Sequence, residues 1–117
     1  MKWIVFLMLL MIMCPVVLGG KVMYEINNAG TSSMAPTYNG TSKLFIEVMF
    51  RHEPVQLNHI YCYKPSWDQQ WYHGNWRYCH RLIEINESML LFKGDNNLHN
   101  DPWINRMFIE WEIVKIE

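Results

Sequence analysis

An unbroken apolar run from Trp3 to Leu18 follows the single charge of Lys2 and stops at Gly19-Gly20. As a helix it spans ~24 Å at ~1.5 Å per residue, a little short of the ~30 Å hydrocarbon core of a bilayer. Two readings compete. In one, the run is a single membrane anchor, lengthened by Gly19, Gly20 and snorkelling flanks. In the other it is a cleaved signal peptide, because it is close to h-region length and Val17 and Gly19 are small enough for the −3 and −1 sites. Bulky Met13 argues against a lipoprotein site at Cys14. Either way, the run sends the rest of the chain across or onto a membrane. Lys2 on one side, with Lys21 and Glu25 on the other, mildly favours an N-terminus left in the cytoplasm.

The organisation that follows is one segment of residues 1–20 and one domain of residues 21–117. About 97 residues suffice for one modest core and not for two. The net charge is −1, so nothing points to nucleic acid as a partner.

Beyond residue 20 the signals are mostly β. Apolar and branched residues, with partial alternation, predict a strand over 43–50. Further strands are predicted over 59–65 (ended by Pro65), 76–85 and 88–94. The closing stretch, 107–116, alternates apolar and charged residues as a half-buried strand does. Turn-rich stretches separate them: Asn27 to Gly30, Tyr38 to Gly40, Pro65 to Asn75, and Gly94 to Asn105. No helix is strongly marked beyond the apolar run. Trp67, Trp71, Tyr72 and Trp76 crowd the loop between the second and third strands. They read either as a loop packed by its own side chains or as an interfacial belt.

A hairpin centred near Gln69-Gln70 would set Cys62 opposite Cys79. These two are either a disulfide, in an oxidising compartment, or two free buried thiols. Without CxxC pairs, no structural zinc site is indicated. Asn39-Gly40-Thr41 and Asn86-Glu87-Ser88 match the glycosylation sequon, which matters only in a glycosylating lumen.

The residues that could carry chemistry lie in three separate segments. "SSMAPT", 32–37, offers a serine in a proline turn, and a serine is a poor nucleophile without a base beside it. His80 lies on a predicted strand next to Arg81, whereas His52, His59, His73 and His99 sit in turn-like settings. Alone, a strand histidine is more often a structural residue than a catalyst. "FKGDNNLHNDPW", 92–103, holds Asp95 and Asp101. These read as ordinary turn carboxylates or as an acid for the histidine. An EF-hand is excluded, because no Glu stands at the twelfth loop position.

In this order, "SSMAPT", "CHRLIEI" and "FKGDNN…DPW" resemble the type I signal peptidases. The resemblance runs from roughly residue 31 to 117. It includes "LNHIYCY", 57–63, where the family usually has Gly-Asp followed by a hydrophobic strand. A histidine at position 80, where the typical bacterial branch has lysine, is similar to the archaeal and endoplasmic-reticulum branch.

The resemblance implies a mainly β fold: a compact antiparallel domain of the signal-peptidase/LexA-like type behind one N-terminal transmembrane helix. It implies a membrane-bound serine endopeptidase that removes signal peptides from secreted or membrane preproteins. Ser33 aligns with the nucleophile and His80 with the general base. Asp95 and Asp101 align with the acidic positions, one or both orienting the imidazole. Thr31 and the backbone N–H of Ser33 are the expected oxyanion donors. Met34, Pro36, Leu44, Phe45 and Ile46 are the expected substrate-contacting residues, and Pro36 would also fix φ and stiffen the turn. No cofactor or metal is implied. The implied partners are preproteins, membrane lipid and other subunits of a signal peptidase complex. The implied location is a single-pass membrane protein with its domain on the extracytoplasmic or lumenal side, which favours a retained anchor. Histidine suits the role because an ordinary imidazole titrates near ~6.5, close to working pH.

Four features depart from the family pattern. Ser32 replaces a common glycine, and its side chain could crowd the oxyanion turn. Ala35 replaces a frequent glutamate. Asn58-His59 replaces Gly-Asp, although asparagine tolerates the left-handed conformation. The segment from Gly19 to Gly30 reads as a lengthened tether. These departures sustain two alternatives: a narrower protease, and a catalytically degenerate relative that binds extended peptides or a partner subunit. A soluble self-cleaving repressor is disfavoured, because it would carry a DNA-binding domain and a lysine base.

Overall fold

A computed structural model describes residues 21–28, 30–64 and 77–117. The apolar run and the aromatic cluster of Trp67, Trp71, Tyr72 and Trp76 lie outside the described residues. Seven strands form one sheet: β1 (Met23–Ile26), β2 (Leu44–Val48), β3 (Ile60–Tyr63), β4 (Tyr78–Asn86), β5 (Met89–Lys93), β6 (Ile104–Asn105) and β7 (Ile109–Ile116). Their order is β1-β2-β7-β3-β4-β5-β6, and every neighbouring pair is antiparallel. A 3-10 turn at Arg106–Phe108 leads into β7, with the Asn105 side chain accepting from the Met107 N–H. Among the described residues there is no α-helix.

The central strand explains the two-sided core. All four residues of β3 are buried. Successive side chains of a strand point to opposite faces. Tyr61 and Tyr63 therefore join Leu82, Leu90, Phe92, Ile104 and Ile109 on one side. Ile60 and Cys62 join Met34, Tyr38, Leu44, Ile46 and Ile113 on the other. Ile109 and Ile113 are four apart and would share a face in a regular strand. A register shift lets them serve opposite faces: Cys62 pairs with Trp111 but Tyr63 with Ile109, so Glu110 is the extra residue.

The five strands expected from the sequence all form, with ends moved by a few residues. Two others were not expected. β6 lies inside a stretch that reads as turn. β1 lies where the sequence reads as tether, so that segment is partly an edge strand paired in register with β2. Met23, Tyr24 and Glu25 are exposed and only Ile26 is half-buried. Such a strand carries no alternation signal, because backbone pairing and not burial forms it.

Cys62 and Cys79 face each other in register and form a disulfide, with Cα atoms 4.1 Å apart. Of the two thiol states the sequence allows, the bridged one is present. The bridge closes a 17-residue separation between β3 and β4. Chain-entropy arguments give a loop of that size about 3 kcal/mol of stabilisation. The variant Cys62→Ala/Cys79→Ala is expected to unfold at clearly lower urea than the wild type. Reductant should shift the wild type and leave the variant unmoved. Equal midpoints for the two proteins would contradict a stabilising bridge.

Candidate active site

The serine turn is presented by its neighbours. Met34 is 1% exposed and Tyr38 is also buried, so two core anchors bracket the exposed Pro36-Thr37. The Ala35 N–H donates to the Ser32 carbonyl at 3.1 Å, and the Tyr38 N–H to the Met34 carbonyl at 3.3 Å. The Ala35–Pro36 peptide is cis. Tyr38 Oη donates to the Cys79 carbonyl at 3.2 Å, tying the turn to β4 one residue before His80. Burial, aided by the charge of Asp95, pushes the Tyr38 phenol up to about 12, so it remains a donor. Immediately before the first anchor, Ser33 is left half-exposed.

His80 approaches from β4 and is itself buried. Its Nε2 lies 3.3 Å from Ser33 Oγ, and its Nδ1 lies 2.5 Å from Asp101 Oδ2. A carboxylate only accepts, so Nδ1 carries the proton and Nε2 is free to accept from Ser33. The serine–histidine contact is longer than an ideal bond, as catalytic hydrogen bonds often are before substrate tightens them.

Asp101 is held from two sides. Its N–H donates to the Phe92 carbonyl at 2.8 Å. The Tyr63 hydroxyl donates to Asp101 Oδ2, the same oxygen that faces His80. Burial and this bond hold the Tyr63 phenol far above its ordinary range, which keeps it a donor. Tyr63 is fully buried and reads in the sequence only as a strand hydrophobe. Its partner lies 38 residues away, so no local pattern could announce its role.

Asp95 does something different. It does not touch His80 but accepts from Arg81 Nε at 2.9 Å and Nη2 at 2.7 Å, and from the Thr37 hydroxyl. Arg81 Nη1 also donates to the Asn58 carbonyl at 2.6 Å. The carboxylate therefore clamps the serine turn to β4. The Arg81 guanidinium holds the Asp95 carboxyl below the usual carboxylate range. A lowered folded-state pKa adds stability that is complete above the ordinary value of ~3.9 and is lost as pH falls through the lower folded value. The stability gap between wild type and Asp95→Asn is thus expected to be constant near neutrality and to close below about pH 4. Urea midpoints of both proteins across that range would check this.

Thr31 Oγ1 lies 3.3 Å from Ser33 Oγ. The Ser33 N–H has no partner among the described residues, and Ser32 is exposed with a negative φ. The Ser32 backbone lies outside the left-handed region that favours glycine. Asn58 takes φ 72°, so the asparagine does supply the left-handed turn. The expected substrate-contacting set divides. Met34, Leu44 and Ile46 are 1%, 3% and 3% exposed and belong to one buried core cluster. Alternation with Phe45 places Leu44 and Ile46 on the buried face of β2. Phe45 is half-buried under Lys115, whose Nζ is 5.3 Å from the ring centre. Pro36 is exposed.

Among the described residues, no three His, Cys, Asp or Glu side chains converge as a metal site would need. Nor is any helix there long and apolar enough to cross a membrane. Comparisons with family models, with curated proteins and with solved structures found no match.

Proposed function

We propose that this chain is a serine endopeptidase of the signal-peptidase type, anchored by residues 3–18, that cuts preproteins on the far side of the membrane. One observation carries the reading. Three segments of the chain bring a serine hydroxyl, an imidazole and a carboxylate into one line: Ser33 Oγ 3.3 Å from His80 Nε2, and His80 Nδ1 2.5 Å from Asp101.

In this reading Ser33 Oγ attacks the scissile carbonyl while His80 Nε2 takes its proton. Asp101 fixes the tautomer and stabilises the imidazolium. The Ser33 N–H and the Thr31 hydroxyl receive the developing oxyanion. His80 then returns the proton to the leaving amine, and water reverses the sequence on the acyl-enzyme. Among the described residues the outer edge of β1 is unpaired, and its chain leads into the serine turn. An extended peptide adding to that edge would run toward Ser33.

The test is cleavage of a reporter preprotein in membranes containing the full chain. Wild type should cut after a small residue; absence of cleavage by every version would favour a peptide-binding relative. Topology has a separate readout. Asn39 lies beside a turn and Asn86 ends β4, both exposed, and the Asn39 carboxamide oxygen already accepts from the Thr41 hydroxyl at 2.6 Å. Expressed in cells with a glycosylating secretory lumen, the chain is expected to show a mobility shift that endoglycosidase removes. Asn39→Gln/Asn86→Gln should abolish the shift, and an unshifted wild type would contradict a lumenal domain.

A further inference from the structure

The oxyanion donor of Ser33 is useful only if the Ser32–Ser33 peptide plane has the right orientation. Three donors and one close approach fix that plane and the next. The Ser32 carbonyl accepts from Asn96 Nδ2 at 3.1 Å and from the Ala35 N–H at 3.1 Å. The Ser33 carbonyl accepts from the Asn96 N–H at 2.8 Å. Gly94 packs directly on that carbonyl, since a Cβ there would stand 2.7 Å from the Ser33 oxygen. In a trans peptide the C=O and N–H point in opposite directions. Holding the Ser32 oxygen on the Asn96 side therefore turns the Ser33 N–H away from it. That N–H has no partner among the described residues.

We infer that Asn96 is a positioning residue for the oxyanion hole: its side-chain amide holds the Ser32–Ser33 peptide so that the Ser33 N–H stays available to the substrate. The inference rests on the peptidase reading for its catalytic consequence, but the peptide orientation itself is independent of turnover. Asn96 touches no reacting atom in this scheme. It acts through a carbonyl on the far side of the donor. Asn96→Ala removes one of two donors to the Ser32 oxygen and keeps its own backbone N–H. Asn96→Asp goes further, because it sets a carboxylate oxygen against a carbonyl oxygen and favours a flipped peptide.

Loss of a complete oxyanion donor costs about 10²–10³-fold in kcat. Partial loss in Asn96→Ala is expected to lower kcat about 10-fold, and Asn96→Asp about 100-fold, both with KM unchanged. Affinity for a peptide aldehyde, whose adduct carries the oxyanion, should fall in step with kcat. A loss confined to KM, or full activity in Asn96→Asp, would overturn the inference. A second measurement does not need cleavage. With the full chain in detergent micelles, the Ser33 amide should give one 1H–15N peak in wild type. In Asn96→Asp it should move or split as the flipped plane becomes populated, while the peaks of β3 stay in place. An unmoved Ser33 peak in a folded variant would overturn the positioning role. A wild type that never cuts, beside an Asn96→Asp variant whose Ser33 peak does shift, would sink the peptidase reading and leave the peptide lock standing.

Discussion

Replacing Ser33 with alanine is expected to lower the rate of preprotein cleavage by at least ~10³-fold, and His80→Ala by a similar factor. The two side chains act as one unit. Ser33 Oγ attacks only as its proton leaves for His80 Nε2, and the imidazole has nothing to do without that proton. The double variant Ser33→Ala/His80→Ala should therefore be no slower than either single one. Additive losses would mean two independent contributions and would contradict the contact at 3.3 Å as the working pair. The substitutions differ in their effect on folding. Ser33 is half-exposed in a turn, so its loss leaves the core intact. His80 is buried and its removal strips Asp101 of a partner, so thermal unfolding must be measured beside activity. Cleavage that survives in Ser33→Ala at anything near the wild-type rate would end the proposal.

The second large effect separates the two acids. Asp101→Asn is expected to slow cleavage by roughly 10²-fold, short of the ~10⁴-fold seen when a triad histidine is also held in the wrong tautomer. Both the Tyr63 hydroxyl and His80 Nδ1 aim at the single oxygen Oδ2. An asparagine can keep its carbonyl oxygen at that spot and so preserve both bonds and the tautomer. The loss then measures the missing negative charge opposite the forming imidazolium. Asp95→Asn should cost far less, because Asp95 faces Arg81 and Thr37 instead of the imidazole. Initial rates for the two variants, with matched unfolding curves, decide it. Equal losses would show that the acid role is shared.

The clamp formed by Asp95 explains why both acids look alike in the sequence. Each follows a turn signal in the same Gly/Asn-rich stretch, and each carboxylate is used. Their roles divide by position on the sheet. β5 ends at Lys93, paired with Arg81, so the next residues turn back across the serine loop. Asp95 meets Arg81 there, while Asp101 arrives six residues later beneath His80, with its N–H on Phe92.

Much of the scaffold follows from local pattern. Apolar and branched runs in 43–50, 59–65, 76–85 and 88–94, and alternation in 107–116, mark five strands, because buried strand faces select such residues. The candidate serine, histidine and acids stand out as residue types able to transfer a proton. Cys62 opposite Cys79 is readable once the two strands are taken as a hairpin. Other features leave no local mark. β1 is held by its backbone and exposes most of its side chains. β6 has two residues, too few to show a period. Tyr63, Gly94 and Asn96 are ordinary residues until a distant partner gives them a task.

The sequence by itself therefore determined the mainly β character, the chemical groups on offer and the order in which they occur. Tertiary structure alone decided which of them meet. It selected Asp101 over Asp95 for His80, sealed Met34, Leu44 and Ile46 in the core, and set Asn96 on the serine turn. The physical reason is register. Partners that are 21, 47 and 64 residues apart meet only through strand pairing and turns. A single extra residue such as Glu110 changes which face of the sheet the following side chains reach.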